Sequence, residues 1–475
     1  MSTRGAVALT RKISCLTMDE KHISCQKMGE RSLNNDGEFG EGRVWNISPV
    51  VSFISGCYGE FKAFPEGMKT SMNELVLTEV GAGLGQIRRG TPAYLRARLA
   101  FFAAGFVTFV TLYDVQPLLP EFSREFGVSP ALSSMPLSVA TGTMAIAMLF
   151  ASTISESWGR KQVMTAALFL TSLLTVFTAF SQGYPALIAL RLIQGLVLAG
   201  LPAVAMAYLS EEMDPSAIAS AMGLYIGGNA VGGMTGRICT AVMTDMWSWR
   251  AALGSFGVLS LILSLYFMKN LPPSHLPRRP FRFAYLFTSL VQKMHDPLLL
   301  SLYAVSFTAM GSFVTLYNYI TFRLLAHPYS LSQSHVSLVF LVYLLGSASA
   351  SVAGQSASRF DRRTLVMLSL CVMAAGALLT LAEPLPVIIA GVSVFTAGFF
   401  AAHTVASSWV GLHAATAKAQ ASALYLFSYY LGSSISGTVG GSFWSRCGWK
   451  GVVGLIVGQL FLTLVVTRGL LKRQA

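Results

Sequence analysis

The sequence predicts an all-α membrane protein with twelve transmembrane helices, arranged as two six-helix halves related by pseudo-twofold symmetry. Three observations support this prediction. The 475 residues are 53% hydrophobic and only 12% charged, whereas soluble domains carry roughly 25% charged residues. Apolar segments of spanning length follow one another from Leu99 onward, and phrases of the first half recur in the second. The predicted surroundings are therefore a lipid bilayer, and the net charge of +13 is not interpreted as a nucleic-acid-binding signal.

The apolar segments are long enough to cross a hydrocarbon layer of ~30 Å as helices, which satisfy their own backbone groups. The predicted spans are 97–119, 131–155, 163–182, 185–210, 217–242, 250–270, 297–325, 334–357, 364–382, 385–411, 418–442 and 449–468.

The spans divide the chain into five parts. These are a polar extension (1–95), a first half (96–270), a linker rich in proline and basic residues (271–296), a second half (297–470) and a tail (471–475). The extension is expected to be disordered or to begin at a misassigned start codon. Lys and Arg are concentrated in the loops on one face, which predicts that the linker and both termini are cytoplasmic.

An internal repeat relates the two halves. The phrase FVTLYD at 109–114 recurs as FVTLYN at 313–318, and SWGRK at 157–161 corresponds to RFDRR at 359–363. Two further pairs, SAMGLY with SALYLF and WRAALG with WKGVVG, keep the same order along the chain. The first pair differs only where Asp114 is replaced by Asn318, so only one half keeps an ionisable group at that position.

Two six-span halves joined by a cytoplasmic linker resemble the major facilitator superfamily, whose substrate site lies between the halves. SWGRK resembles the motif that follows span two in the superfamily. Arg191, Gln194 and Gly195 resemble its RxxQG motif of span four. GNAVGG in span five resembles the antiporter signature, with Asn229 where proline is usual. The stretches MGLYIGGN, AGFFAAHTVASSWVG and ASALYLFSYYLGSSISGT resemble bacterial inner-membrane transporters of the drug- and sugar-efflux type.

The basic residues at the cytoplasmic ends of the helices are either topology signals alone or, as the resemblance implies, parts of a conformational latch. Its residues would be Glu156, Gly159, Arg160 and Lys161 in the first half, and Arg359, Arg362 and Arg363 in the second.

Few ionisable residues lie inside the predicted spans. Such residues are costly in a bilayer and are usually paired, hydrated or functional. Asp114 and Arg191 fall at a similar depth on different helices, which predicts a proton-coupling pair, a static ion pair, or an Asp114 that faces the headgroups. His403 is either a packed histidine or a proton relay or substrate contact, and Arg237 is expected near the outer end of its span, snorkelling to the surface. Other polar residues expected at the cavity are Tyr113, Gln116, Asn229, Tyr317 and Asn318, with Asn318 facing Asp114.

Small residues recur every fourth position in two spans. Such stripes let helix backbones approach closely, so a packing role is predicted for Gly228, Gly232 and Gly236, and for Gly432, Ser436 and Gly440.

The predicted function is secondary active transport of a small solute by alternating access, with proton-coupled efflux favoured over proton-coupled import. The alternative class is a polytopic membrane enzyme, but the sequence has no HExxH, no paired carboxylates and no GxxxxGK[ST]. No cofactor, metal or nucleic acid is expected. The expected partners are an unknown solute, protons and lipid, for a monomer in the bacterial inner membrane.

Overall fold

The computed structural model describes residues 87–274, 290–414 and 418–472. The regular secondary structure in these ranges is helical, apart from an isolated β-bridge between Ile87 and Met213. Most of the predicted extension, the middle of the linker and the end of the tail lie outside the described residues, so the predictions made for them are not addressed by the structure.

The first half contains six long helical stretches, with the short helices Leu119–Phe126 and Pro130–Ser133 between the first and the second. The six long stretches are α1 (Pro92–Tyr113), α2 (Met135–Trp158), α3 (Arg160–Ala179), α4 (Tyr184–Glu212), α5 (Pro215–Met246) and α6 (Trp249–Asn270).

The second half repeats the pattern. It contains α7 (Pro297–Leu325), α8 (Gln333–Ser356), α9 (Arg362–Leu379), α10 (Leu385–His413) and a long helix, Lys418–Lys472. Gly448 bends the long helix with φ 58°, a left-handed conformation that glycine adopts without steric cost. We call the arm before Gly448 α11 and the arm after it α12.

Every predicted span coincides with one of these helices. Among the described residues, nine helices are long and apolar enough to cross a membrane, and one of them, Gln420–Arg468, holds the last two predicted spans. The helices α2 and α5 fall outside that set, although Met135–Ala151 of α2 forms a shorter apolar helix. The all-helical membrane fold is therefore confirmed, while membrane crossing by α2 and α5 stays a prediction.

Prolines interrupt two spans that were predicted to be continuous. The helix α1 ends at Tyr113 and is followed by a short 3-10 helix at Gln116–Leu118, because Pro117 has no N–H to continue the helical hydrogen bonds. The helix α4 is broken after Leu198 and resumes at Pro202 for the same reason.

Each half is built from corresponding helix pairs. The helix α1 packs on α5 as α7 packs on α11, α2 packs on α4 as α8 packs on α10, and α3 packs on α6 as α9 packs on α12. Between the halves, α2 contacts α11 and α5 contacts α8. These pairings agree with the pseudo-twofold relation predicted from the internal repeat.

The predicted small-residue stripes lie at the closest helix pairs. A Cβ atom added at Gly228 or Gly232 would lie 2.3 Å from a carbonyl oxygen of α1. One added at Gly432 would lie 2.0 Å from the carbonyl oxygen of Phe307 in α7. These distances are far below van der Waals contact, so glycine is required for the observed approach of the backbones.

The remaining members of the stripes make the same contacts. Cβ atoms added at Gly236 and Gly440 would lie 3.1 Å and 2.6 Å from Val110 and Thr315 respectively. The hydroxyl of Ser436 is directed at Gly311 of α7 and hydrogen-bonds the Gln459 side chain at 3.1 Å.

Candidate functional site

Asp114 and Arg191 form a buried ion pair in the first half. Arg191 Nη1 lies 3.3 Å from Asp114 Oδ1, and both side chains are almost completely inaccessible to solvent. Asp114 directly follows the last residue of α1, and Arg191 lies in α4. The structure thus brings together the two opposite charges that the sequence placed at similar depth.

Arg191 also binds the end of α1. Its guanidinium donates to the carbonyl oxygens of Thr111 and Leu112 at 2.8 Å and 2.7 Å, and to Pro136 O at 3.2 Å. The last carbonyls of a helix have no helical donor, so an arginine can satisfy them and complement the helix dipole. Arg191 would therefore keep several neutral acceptors if Asp114 became protonated.

Asp114 is only partly satisfied. Its Oδ2 atom is buried and has no hydrogen-bond partner. A buried polar atom without a partner is unusual in native proteins and calls for a functional explanation.

A hydrogen-bonded bridge connects the two halves two residues beyond Asp114. Arg237 Nε donates to Gln116 Oε1 at 2.6 Å, and Gln116 Nε2 donates to Asn318 Oδ1 at 2.8 Å. Asn318 was predicted to face Asp114, but the hydrogen bond of its side chain is with Gln116. The 3-10 helix turns Gln116 toward the second half, while Asp114 stays against Arg191.

Other contacts between the halves lie at the same end of the helices, which we call the closed end. Gln333 Nε2 donates to Pro117 O at 2.7 Å, and the Ser334 N–H donates to Asp245 Oδ2 at 2.7 Å. These bonds join the start of α8 to the ends of α1 and α5.

Arg237 was predicted to snorkel to the surface, and this prediction is wrong. It is 3% exposed, and its Nη1 donates to Gly233 O at 2.7 Å. Its Cζ lies 4.0 Å from the ring centre of Tyr113 and 5.0 Å from that of Tyr343. The sequence did not reveal this buried position because the aromatic residues that surround Arg237 come from both halves.

An aromatic cluster continues from this point into the second half. The rings of Phe313 and Phe399 stack with centroids 3.9 Å apart, and His403 stacks on Phe399 at 6.0 Å. His403 Nδ1 lies 3.0 Å from the hydroxyl of Tyr425. The Tyr317 hydroxyl bonds Thr396 Oγ1 at 2.7 Å.

Asn229 lies against α1. A Cβ added at Gly105 of α1 would lie 2.6 Å from Asn229 Oδ1, and that oxygen has no hydrogen-bond partner. The position of Asn229 is therefore at the contact between α1 and α5.

The opposite end of the first half holds a charge cluster around Arg160. Arg160 binds both oxygens of Glu211, at 2.7 Å and 3.0 Å, and lies 3.6 Å from Glu156. Lys161 Nζ donates to the carbonyl oxygen of Leu271. Gly159 joins α2 to α3 with φ 103°, a conformation that favours glycine. Sequence analysis missed Glu211, which lies some fifty residues away at the end of α4.

The equivalent end of the second half lacks such a cluster among the described residues. Asp361 caps α9, and the Thr364 N–H that donates to it lowers the pKa of this carboxyl. Arg363 Nη2 donates to Arg468 O at 3.4 Å, and no ion pair of the described residues involves Arg359, Arg362 or Arg363. The predicted latch therefore has its ionic contacts in one half. No group of three potential ligand residues within the described ranges could hold a metal ion.

Comparisons with known proteins identify the family. The model of the Major Facilitator Superfamily matches residues 99–325. The chain is 47% identical over 379 residues to the uncharacterized MFS-type transporter YybF of Bacillus subtilis (strain 168), covering 80% of this chain and 94% of that protein. It is also 47% identical over 388 residues to the inner membrane transport protein YnfM of Escherichia coli (strain K12), covering 82% and 93%.

A solved structure agrees with this assignment. The nucleoside transporter NupG matches with a TM-score of 0.66 at 14% identity, over 79% of this chain and 99% of that one. The chain therefore belongs to the major facilitator superfamily and is a multi-pass membrane transporter of a small solute.

Proposed function

We propose that the chain exports a small solute in exchange for protons and that Asp114 carries the proton. The observation that supports this proposal is the unpartnered Oδ2 atom of Asp114, a carboxylate oxygen that is buried and two residues from the bridge between the halves. Oδ2 is available to carry the proton because the Arg191 contact uses Oδ1.

The ion pair gives the coupling a physical basis. A carboxylate beside a guanidinium keeps its charge, whereas a carboxylate removed from its partner in apolar surroundings tends to bind a proton. Movement of α1 relative to α4 would change the Asp114–Arg191 distance. Because Gln116 connects the end of α1 to Arg237 and Asn318, opening of the closed end would pull on the same segment that holds Asp114.

The proposed direction follows from the span-five motif GNAVGG, which resembles the antiporter signature. The proposed location is the bacterial inner membrane, with both termini in the cytoplasm, because the basic loops share the face of the Arg160 cluster. The closed end would then face outward in this structure, and the solute would enter from the cytoplasm.

The test uses inside-out vesicles with an imposed pH gradient and a panel of solutes. Wild-type protein should accumulate a solute and release protons from the vesicle lumen. The variant Asp114→Asn keeps the shape and removes the titration, so it should insert normally and exchange solute but lose accumulation driven by the gradient. The matched control is Asp214→Asn, which alters the exposed cap of α5 with a residue that also caps helices well.

The outcomes separate the parts of the proposal. Accumulation by Asp114→Asn at the wild-type rate and pH dependence would exclude Asp114 as the coupling site. Solute and protons moving in the same direction would replace export by import and leave the role of Asp114 intact.

A further inference from the structure

Arg237 is a buried cation with no carboxylate partner among the described residues. The acids nearest in sequence to the bridge have other partners, since Asp114 pairs with Arg191, Glu121 pairs with Arg124, and Asp245 accepts from the Ser334 N–H. Arginine stays protonated in proteins, and burying a charge without a counter-charge is costly. The buried groups at this end, Asp114, Arg191 and Arg237, therefore carry a net positive charge.

The contacts of Arg237 are with neutral groups. Its Nε and Nη1 atoms donate to the Gln116 amide and to the Gly233 carbonyl, and no hydrogen bond runs from Nη2 to a described residue. The planar guanidinium lies over the Tyr113 ring. The Nε and Nη1 donors are thus held by protein, and Nη2 has hydrogen-bonding capacity that the described residues do not use.

One donor beside Arg237 and one at the other end of the bridge also lack partners. The hydroxyl of Tyr343 is buried without a hydrogen bond, and its ring centre lies 5.0 Å from Arg237 Cζ. Asn318 Nδ2 is also buried and unpartnered, although Asn318 Oδ1 accepts from Gln116. The Arg237 guanidinium and the adjacent Tyr343 hydroxyl need acceptors, and an anion supplies them.

An aromatic surface extends from the same guanidinium. Phe340 lies 5.3 Å from Arg237 Cζ and stacks on Tyr317 with centroids 5.3 Å apart. Tyr317 contacts Phe313 at 4.8 Å, and the stack continues through Phe399 to His403. Aromatic rings favour stacked and edge-to-face contact with other rings.

We propose that this site, formed by Arg237 and Tyr343 with the adjoining rings, binds the carboxylate of an aromatic organic anion and that such anions are the transported solutes. The identification of the solute class rests on the proposed transport function. Binding itself requires neither a particular direction nor proton coupling.

The test measures binding of benzoate to the purified full-length protein in lipid nanodiscs by isothermal titration calorimetry. Acetate and benzyl alcohol separate the two parts of the site, because the first lacks the ring and the second lacks the charge. Benzoate should bind saturably and both analogues should bind at least roughly tenfold more weakly, since a hydrogen bond to a charged group and an aromatic contact are each worth about a kcal/mol or more.

Three variants localise the binding. Arg237→Gln should weaken benzoate binding by about tenfold or more, and Tyr343→Phe, which removes one hydroxyl and keeps the ring, should weaken it several-fold. Arg250→Gln is the matched control, because Arg250 pairs with Glu125 at a partly exposed position and should leave binding unchanged. If Arg237→Gln does not fold, the benzoate affinity of Tyr343→Phe alone decides whether the proposed site is correct.

The following results would contradict the site, the solute class or the coupling proposal. No benzoate binding by the wild type, or wild-type affinity in a folded Arg237→Gln or Tyr343→Phe variant, would overturn the site. Equal affinity for acetate would overturn the aromatic class. Benzoate binding by Asp114→Asn together with wild-type proton coupling in that variant would refute the coupling proposal and leave this inference standing.

Discussion

The substitution Gln116→Leu tests whether the bridge between the halves holds the closed end together. Leucine has a similar size and can neither accept from Arg237 nor donate to Asn318. The variant loses one hydrogen bond with a charged donor at 2.6 Å and one neutral bond at 2.8 Å. Such bonds contribute about 1.5–3 and 0.5–1.5 kcal/mol respectively.

The closed state should therefore lose roughly 2–4 kcal/mol of free energy relative to the open state. Arg237 and Asn318 would stay buried without these partners while the end is closed and would be hydrated only when it opens. At about 1.4 kcal/mol for each factor of ten, the ratio of closed to open molecules should fall by roughly 30- to 1,000-fold. The expected result is a protein that opens at the closed end far more often than the wild type.

The assay uses a single cysteine, Ser138→Cys, in a background with the native cysteines replaced by serine. Ser138 lies in α2, is 2% exposed, and is near the contact with α11. A membrane-impermeant maleimide applied from the closed-end side should label the Gln116→Leu protein much faster than the parent. The control Gln355→Leu changes an exposed glutamine of α8 and should not alter the rate. Equal labelling of the Gln116→Leu and parent proteins, at equal expression, would refute the reasoning.

Two further predictions concern topology and packing. A C-terminal alkaline phosphatase fusion should be inactive and a C-terminal green fluorescent protein fusion fluorescent, because the basic loops predict a cytoplasmic C-terminus; an active phosphatase would reverse the orientation. Gly232→Ala should lower the thermal unfolding temperature, since its Cβ would lie 2.3 Å from Phe106 O and overpacking costs typically 1–3 kcal/mol. Gly223→Ala, on the same helix with open space at the Cβ position, should be neutral or stabilising, and equal behaviour of the two variants would contradict the packing role.

The sequence by itself determined the helical membrane class, the position of the helices and the relation between the halves. These features depend on hydrophobicity along the chain and on a repeat within it, and both are local or one-dimensional properties. The spacing of Gly228, Gly232 and Gly236 similarly revealed a packing face, because residues four apart share one side of a helix.

The pairing of Asp114 with Arg191 was also accessible from the sequence. Depth along a helix follows from counting residues at 1.5 Å each, and opposite charges at one depth in an apolar medium have reason to meet. The direction of each side chain around its helix axis does not follow from depth. For that reason the sequence predicted Asp114 as the residue facing Asn318, whereas the structure shows that Asn318 accepts a hydrogen bond from Gln116.

Only the tertiary structure decided the environment of Arg237 and the partner of Arg160. Position near a helix end suggested that Arg237 reaches the surface, but α8 and the end of α1 cover it and supply Tyr343 and Tyr113. Glu211 reaches Arg160 because α4 returns to the same end of the bundle. Contacts of this kind join residues distant in sequence, so they depend on the packing of whole helices, which the local pattern of residues does not encode.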